Sequence, residues 1–149
     1  MARWWVVIVV VLAQACSNKT ENKPAAYEES EGEREAKKIR ESYRVVIADF
    51  HADVVAGRLD AAYARLAPMY QASVPLEKFQ AIAKHPLFRD GVTFKTRGAT
   101  ITQGTAKVTG FIEGPMGPAQ YDMRCTLVDG AWKIAGLSVD GTPVLPAAQ

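Results

Sequence analysis

The spacing of apolar residues changes once along this chain, near residue 90, and that change limits the class of fold it can adopt. Before it, Ile39, Tyr43, Val46, Ile47, Phe50 and Val54 recur in steps of three and four, the signature of one face of an α-helix. After it, Val92, Phe94 and Thr96 alternate with Thr93, Lys95 and Arg97, the period of a strand with one buried face. Helices followed by strands give an α+β fold, with helices covering one side of an antiparallel sheet.

Local signals divide the two halves further. The long helix is expected to end near Ala56-Gly57, because Gly suits the position after a helix. A second helix carries Leu59, Ala62, Tyr63 and Leu66 and stops at Ala67-Pro68. A third opens at Ser73-Val74-Pro75, with Ser as the cap and Pro in the first turn. It presents Leu76, Phe79 and Ile82/Ala83 on one face and ends before His85-Pro86. Strands are expected at 99–103 and 105–113, separated at Gly104. Another carries Tyr121, Met123, Cys125 and Leu127 on one face. Asp129-Gly130 is a two-residue hairpin signal. The run 132–139 makes the last strand, and its alternation slips near Gly136, which predicts a bulge. Residues 141–149 read as a tail. The sum is one long helix and shorter ones packed on a curved antiparallel sheet of about four strands.

The first 35 residues do not fit this plan. Ten apolar residues, 4–13, follow Arg3 without a break. A membrane-spanning helix needs about 17–25, whereas a secretory leader needs only about 7–15 behind a positive start. Residues 1–15 therefore read as a signal peptide. Two cleavage patterns overlap. Ala13-Gln14-Ala15 suits ordinary signal peptidase, and Leu12-Ala13-Gln14-Ala15-Cys16 resembles a bacterial lipobox, with Leu12 one place further from Cys16 than is usual. An uncleaved anchor is the third possibility. In the lipobox reading Cys16 becomes the lipidated first residue, which implies a bacterial cell envelope, with the outer membrane favoured. Plain secretion is the alternative.

From 17 to 35 there are six Glu, three Lys or Arg and almost no large apolar side chain. Such a stretch buries too little to offset its ordering entropy. Residues 16–35 thus form a polar, acidic linker, and 36–149 the folded domain. A linker of about 15 residues holds that domain about 20 Å from a bilayer.

Within the domain, a short helix with Gly57, Leu59, Ala62 and Tyr63 is followed by Ser73-Val-Pro-Leu-Glu-x-Phe79 and by a closing Asp129-Gly-x-Trp-Lys-Ile134. Together with the long helix these resemble the nuclear-transport-factor-2-like superfamily (the SnoaL or ketosteroid-isomerase cone), and within it small bacterial envelope proteins of unknown function. The resemblance covers about residues 36–140. It implies a cone of sheet around the long helix, with an open mouth that can hold a pocket. Cones of this kind serve enzymes, ligand binders and assembly modules, so fold alone does not decide function. The isomerase-like members use a pocket Asp and a Tyr–Asp pair. Asp49, Asp53 and Asp60 fall on helices here, and Asp122 and Glu113 on the polar faces of strands, so that set does not map.

A net charge of +2 over 149 residues gives no basic field for nucleic acid. No P-loop, GxGxxG, HExxH, CxxC or GxSxG is present. His51 and His85 stand alone, without the neighbours a metal site needs, so no catalytic residue, metal or cofactor is assigned. Cys125 reads as a buried small hydrophobe. If a pocket exists, its candidates are Tyr63, Phe94, Tyr121 and Trp132, since buried Tyr and Trp need polar partners that a pocket mouth supplies. Lys95, Arg97, Lys107, Arg124 and Lys133 make a solvated strand face or a surface for an anionic partner.

The expected function is a non-catalytic envelope lipoprotein, a binding or assembly module tethered through Cys16. The alternatives are a secreted or anchored binder of a small apolar ligand and, further off, an isomerase- or cyclase-type enzyme. Expected partners are the membrane, another envelope protein, or a second copy through the sheet, where Val108/Ile112 could offer an apolar row.

Overall fold

A computed structural model describes residues 29–146. The expected signal peptide at 1–15, Cys16 and the linker up to residue 28 lie outside the described residues. The first helix, α1, spans Glu31–Val55. Ser30 caps it: its hydroxyl accepts from the Glu33 N–H at 3.3 Å, while the Glu33 carboxylate accepts from the Ser30 N–H at 2.9 Å. This reciprocal box satisfies two donors that a helix start leaves open, and it places the helix start at Glu31, inside the stretch read as linker. At the other end, Gly57 takes φ 74° after Ala56, a conformation that costs glycine little.

Three short helices follow: α2 at Leu59–Ala64, α3 at Pro68–Ser73 and α4 at Leu76–Ile82. α3 was not expected. Pro68 opens it, where a missing N–H costs nothing. Ser73 closes α3 rather than capping α4; its hydroxyl donates back to the Met69 carbonyl at 3.1 Å. A 3-10 turn at Pro86–Phe88 is capped by His85, whose Nδ1 accepts from the Leu87 N–H at 3.3 Å.

The sheet has five strands, β1 Thr93–Thr102, β2 Thr105–Glu113, β3 Ala119–Val128, β4 Ala131–Val139 and β5 Thr142–Leu145. They pair antiparallel in sequence order. The sheet is open, with β1 and β5 at its edges, and it does not curl into the cone expected around the long helix. The fifth strand corrects the expected four. It arises from Asp140-Gly141, whose φ values of 48° and 78° repeat the geometry of Asp129-Gly130 at 50° and 77°. Both are two-residue turns with left-handed central residues, the form that matches strand twist. The expected bulge is present: Arg124 pairs with Gly136 and Cys125 with Ile134, which leaves Ala135 extra. A second bulge, at Arg97, makes β1 one continuous strand rather than two pieces.

The helices cover one face of this sheet. Tyr43, Val46, Ile47, Phe50 and Val54 of α1 are buried, as are Val108, Ile112, Tyr121, Met123, Cys125, Ile134 and Leu137 on the strands. Phe50 meets Phe88 edge-on at 5.9 Å and Phe79 at 6.1 Å. Val108 and Ile112 are 0% and 2% exposed, so they form core rather than the apolar row considered for a second copy. Their register puts them on the face that the helices cover. Leu127 departs the other way: it lies near the end of the core face and is 39% exposed. Gly110 is required where it stands. A Cβ there would lie 2.6 Å from the Tyr121 ring and closer still to the Lys95 carbonyl.

Two tertiary ties fix the layers. Trp132 Nε1–H donates to the Ile39 carbonyl at 3.1 Å. The segment after α2 extends the sheet, as the Ala67 N–H donates to the Ile134 carbonyl at 2.7 Å and the Ile134 N–H to the Arg65 carbonyl at 2.9 Å. That segment covers the part of the β4 edge that β5 leaves bare.

Candidate functional site

α1 approaches the sheet most closely at β4 and leaves a groove beside the β1 edge. The helix supplies Arg44, Ile47, Ala48 and His51 to it, and the strand side supplies Val92, Thr93, Phe94, Lys95 and Thr96. The helical set follows i, i+3, i+4 and i+7, so these side chains share one face. The groove holds about 520 Å³, within the size of small-molecule sites. Its walls divide by chemistry. Ile47, Val92 and Phe94 are apolar, Thr96 carries a hydroxyl, and Arg44 brings positive charge; Thr93 and Lys95 border the groove from positions whose side chains alternate to the other face of β1.

Phe94 organises the apolar wall. Its ring stands edge-on to His51 at 5.2 Å and to Tyr121 at 5.1 Å. Behind it, the Tyr121 hydroxyl and Thr96 Oγ1 are 3.0 Å apart in a hydrogen bond. Burial pushes the Tyr121 phenol above its ordinary pKa, so it stays protonated. Arg44 is exposed, and its hydrogen bond with the Tyr43 side chain holds it more firmly charged. It makes no ion pair among the described residues. Lys95 pairs with Glu113 at 3.6 Å, an exposed contact of the kind worth about 0–1 kcal/mol.

His51 is half-buried, and burial lowers its pKa below 6.5, so its ring is neutral near pH 7. Its Nε2 is buried and has no hydrogen-bond partner among the described residues. A general base needs a nitrogen within reach of the proton it takes, and usually an orienting partner. No carboxylate lines the groove.

Of the four residues expected at a pocket, Phe94 borders this groove and Tyr121 packs directly behind it. The other two are held elsewhere. The Tyr63 hydroxyl donates to the Val74 carbonyl at 2.7 Å, and Gln71 Nε2 donates to the Tyr63 carbonyl at 2.7 Å, which ties α2 to the stretch leading into α4. Trp132 locks β4 to α1 through Ile39, as above. Sequence reasoning missed Arg44 and Ile47 as partners of Phe94, because a helix residue and a strand residue about 50 positions apart share no local pattern.

A second polar cluster lies at the far end of α1. Asp53 is 5% exposed and accepts from Arg58 Nε at 2.8 Å and Arg65 Nε at 2.7 Å. Arg65 also reaches Asp49 at 3.2 Å. Hydrogen bonds from Arg65 and then Arg58 hold the Asp53 carboxyl below its ordinary pKa, against the opposing push of burial. The cluster joins α1 to α2 and encloses no groove. Cys125 is buried and free, and burial pushes its thiol up to about 12, so it is not a nucleophile at neutral pH.

Among the described residues no group of three or more His, Cys, Asp and Glu side chains comes together as metal ligands would, and no helix is long and apolar enough to cross a membrane. Comparison with family models, with curated proteins and with solved structures finds no match for this chain.

Proposed function

We propose that the domain is a non-catalytic binding module of the bacterial cell envelope, held near a membrane through Cys16, and that it takes a small amphipathic anion into the groove between α1 and β1. The observation that carries this reading is the division of the groove itself. Phe94, Val92 and Ile47 offer an apolar wall, and Arg44 offers a cation beside it. A ligand with a hydrocarbon body and one acidic end satisfies both. Membership of the nuclear-transport-factor-2-like superfamily belongs to the same proposal. It is supported by a long helix packed on one face of a meander sheet and by the Asp-Gly-x-Trp closure. The enzymatic alternative has His51 as its one titratable candidate in the groove that is not a cation, and a covered, unpartnered Nε2 favours packing over proton transfer.

The test is calorimetric titration of the protein with a medium-chain carboxylate such as decanoate. Binding is expected, and Arg44→Gln should weaken it by roughly tenfold or more, the effect of a lost charge-assisted hydrogen bond. Phe94→Ala should weaken it independently. Absence of binding, or equal affinity in both variants, contradicts the proposal.

A further inference from the structure

The opposite face of the sheet holds a second concentration of charge. Lys107 on β2 and Arg124 on β3 stand directly opposite each other in register. Like charges in that position repel and destabilise a sheet. Neither makes an ion pair among the described residues. By contrast, three other cations of the strands are engaged: Lys95 with Glu113, Arg97 over the Phe111 ring at 5.9 Å, and Lys133 with the Ala64 carbonyl at 2.8 Å.

The backbone beside the unpaired couple is shaped to leave room. Arg124 pairs across β4 with Gly136, which has no side chain and adjoins the Ala135 bulge. A cleft of about 320 Å³ results, lined by Lys107, Arg124, Gly136, Ser138, Pro143 and Asp122 among others. We propose that this cleft binds an oxyanion of the phosphate class, either free phosphate or the phosphate of a lipid headgroup. Arg124 supplies a planar fork for two oxygens and Lys107 a mobile point charge; the Ser138 hydroxyl, which donates to the Asp122 carbonyl at a long 3.5 Å, borders the same cleft. Bound anion relieves the repulsion between the two cations. Asp122 on the same cleft reduces its net charge, so binding is reversible and weakens with salt.

Lysine footprinting of the mature protein, read by mass spectrometry, tests this with two probes: inorganic phosphate in solution and vesicles containing phosphatidylglycerol. Lys84, on the exposed surface after α4, is the internal control. A several-fold slower modification of Lys107 but not Lys84 is expected. If phosphate alone gives it, the ligand is a free anion; if the vesicles give it, the ligand is a headgroup. Arg124→Gln should abolish the protection. Should that variant fail to fold, Lys107→Gln should remove the protection of Arg124 that arginine labelling shows in the unaltered protein, and protection that survives it overturns the proposal. Selective protection in neither arm, equal protection of Lys84, or protection that survives Arg124→Gln overturns the proposal.

Discussion

Tyr70 has a hydroxyl at the bottom of the core with no hydrogen-bond partner among the described residues, and burial raises its pKa to about 12. An unmet buried hydroxyl costs about 1–3 kcal/mol. Tyr70→Phe keeps the ring and removes that cost, so thermal unfolding should show a higher Tm; a lower one would mean the hydroxyl is satisfied. His51 makes the same point through pH. Its folded pKa lies below 6.5, so the unfolded chain takes the proton more readily. The folded form is therefore unaffected above pH 6.5 and loses stability as pH falls below it. His51→Phe should flatten urea midpoints measured between about pH 7 and pH 5. An unchanged slope would assign the acid sensitivity elsewhere. Asp53 acts lower: its depressed pKa contributes stability above 3.8 that is lost as pH falls through and beneath that value.

Among the elements, the α1–α2 junction depends on Asp53. Asp53→Ala leaves Arg58 and Arg65 without their shared acceptor and should cost about 1.5–3 kcal/mol, the range for hydrogen bonds to charged groups. Denaturant unfolding checks this, and a loss of under about 0.5 kcal/mol, ordinary for a surface change, would contradict the role. α1 was legible because six apolar residues spaced by three and four over 39–54 leave no other reading. The Asp129-Gly130 hairpin was legible because the turn chemistry is local. The identical Asp140-Gly141 was passed over because prolines follow at 143 and 146. Pro143 is tolerated because β5 is an edge strand, where no ladder hydrogen bond is lost. α3 escaped because six residues are too few to show a period, and Ser73 resembled a cap while its hydroxyl served the turn behind it. The groove was half legible: Phe94 stood out as a candidate, while its partnership with Arg44 and His51 exists only after α1 and β1 are brought together.

As a whole molecule, the domain separates two chemistries on the two faces of one sheet. The covered face holds the core and, at its β1 margin, a groove with an apolar wall and a cation beside it. The open face holds Lys107 and Arg124. A leader and polar linker that place such a body beside a membrane would bring both faces within reach of amphipathic and anionic molecules, and that arrangement unites the proposals above. The most direct test is an NMR measurement of intermolecular contacts between bound decanoate and the protein. The account predicts nuclear Overhauser effects from the probe's methylenes to the ring protons of Phe94 and the methyls of Ile47 and Val92. A bound probe whose contacts fall elsewhere, or a saturated sample with none at these residues, would contradict it.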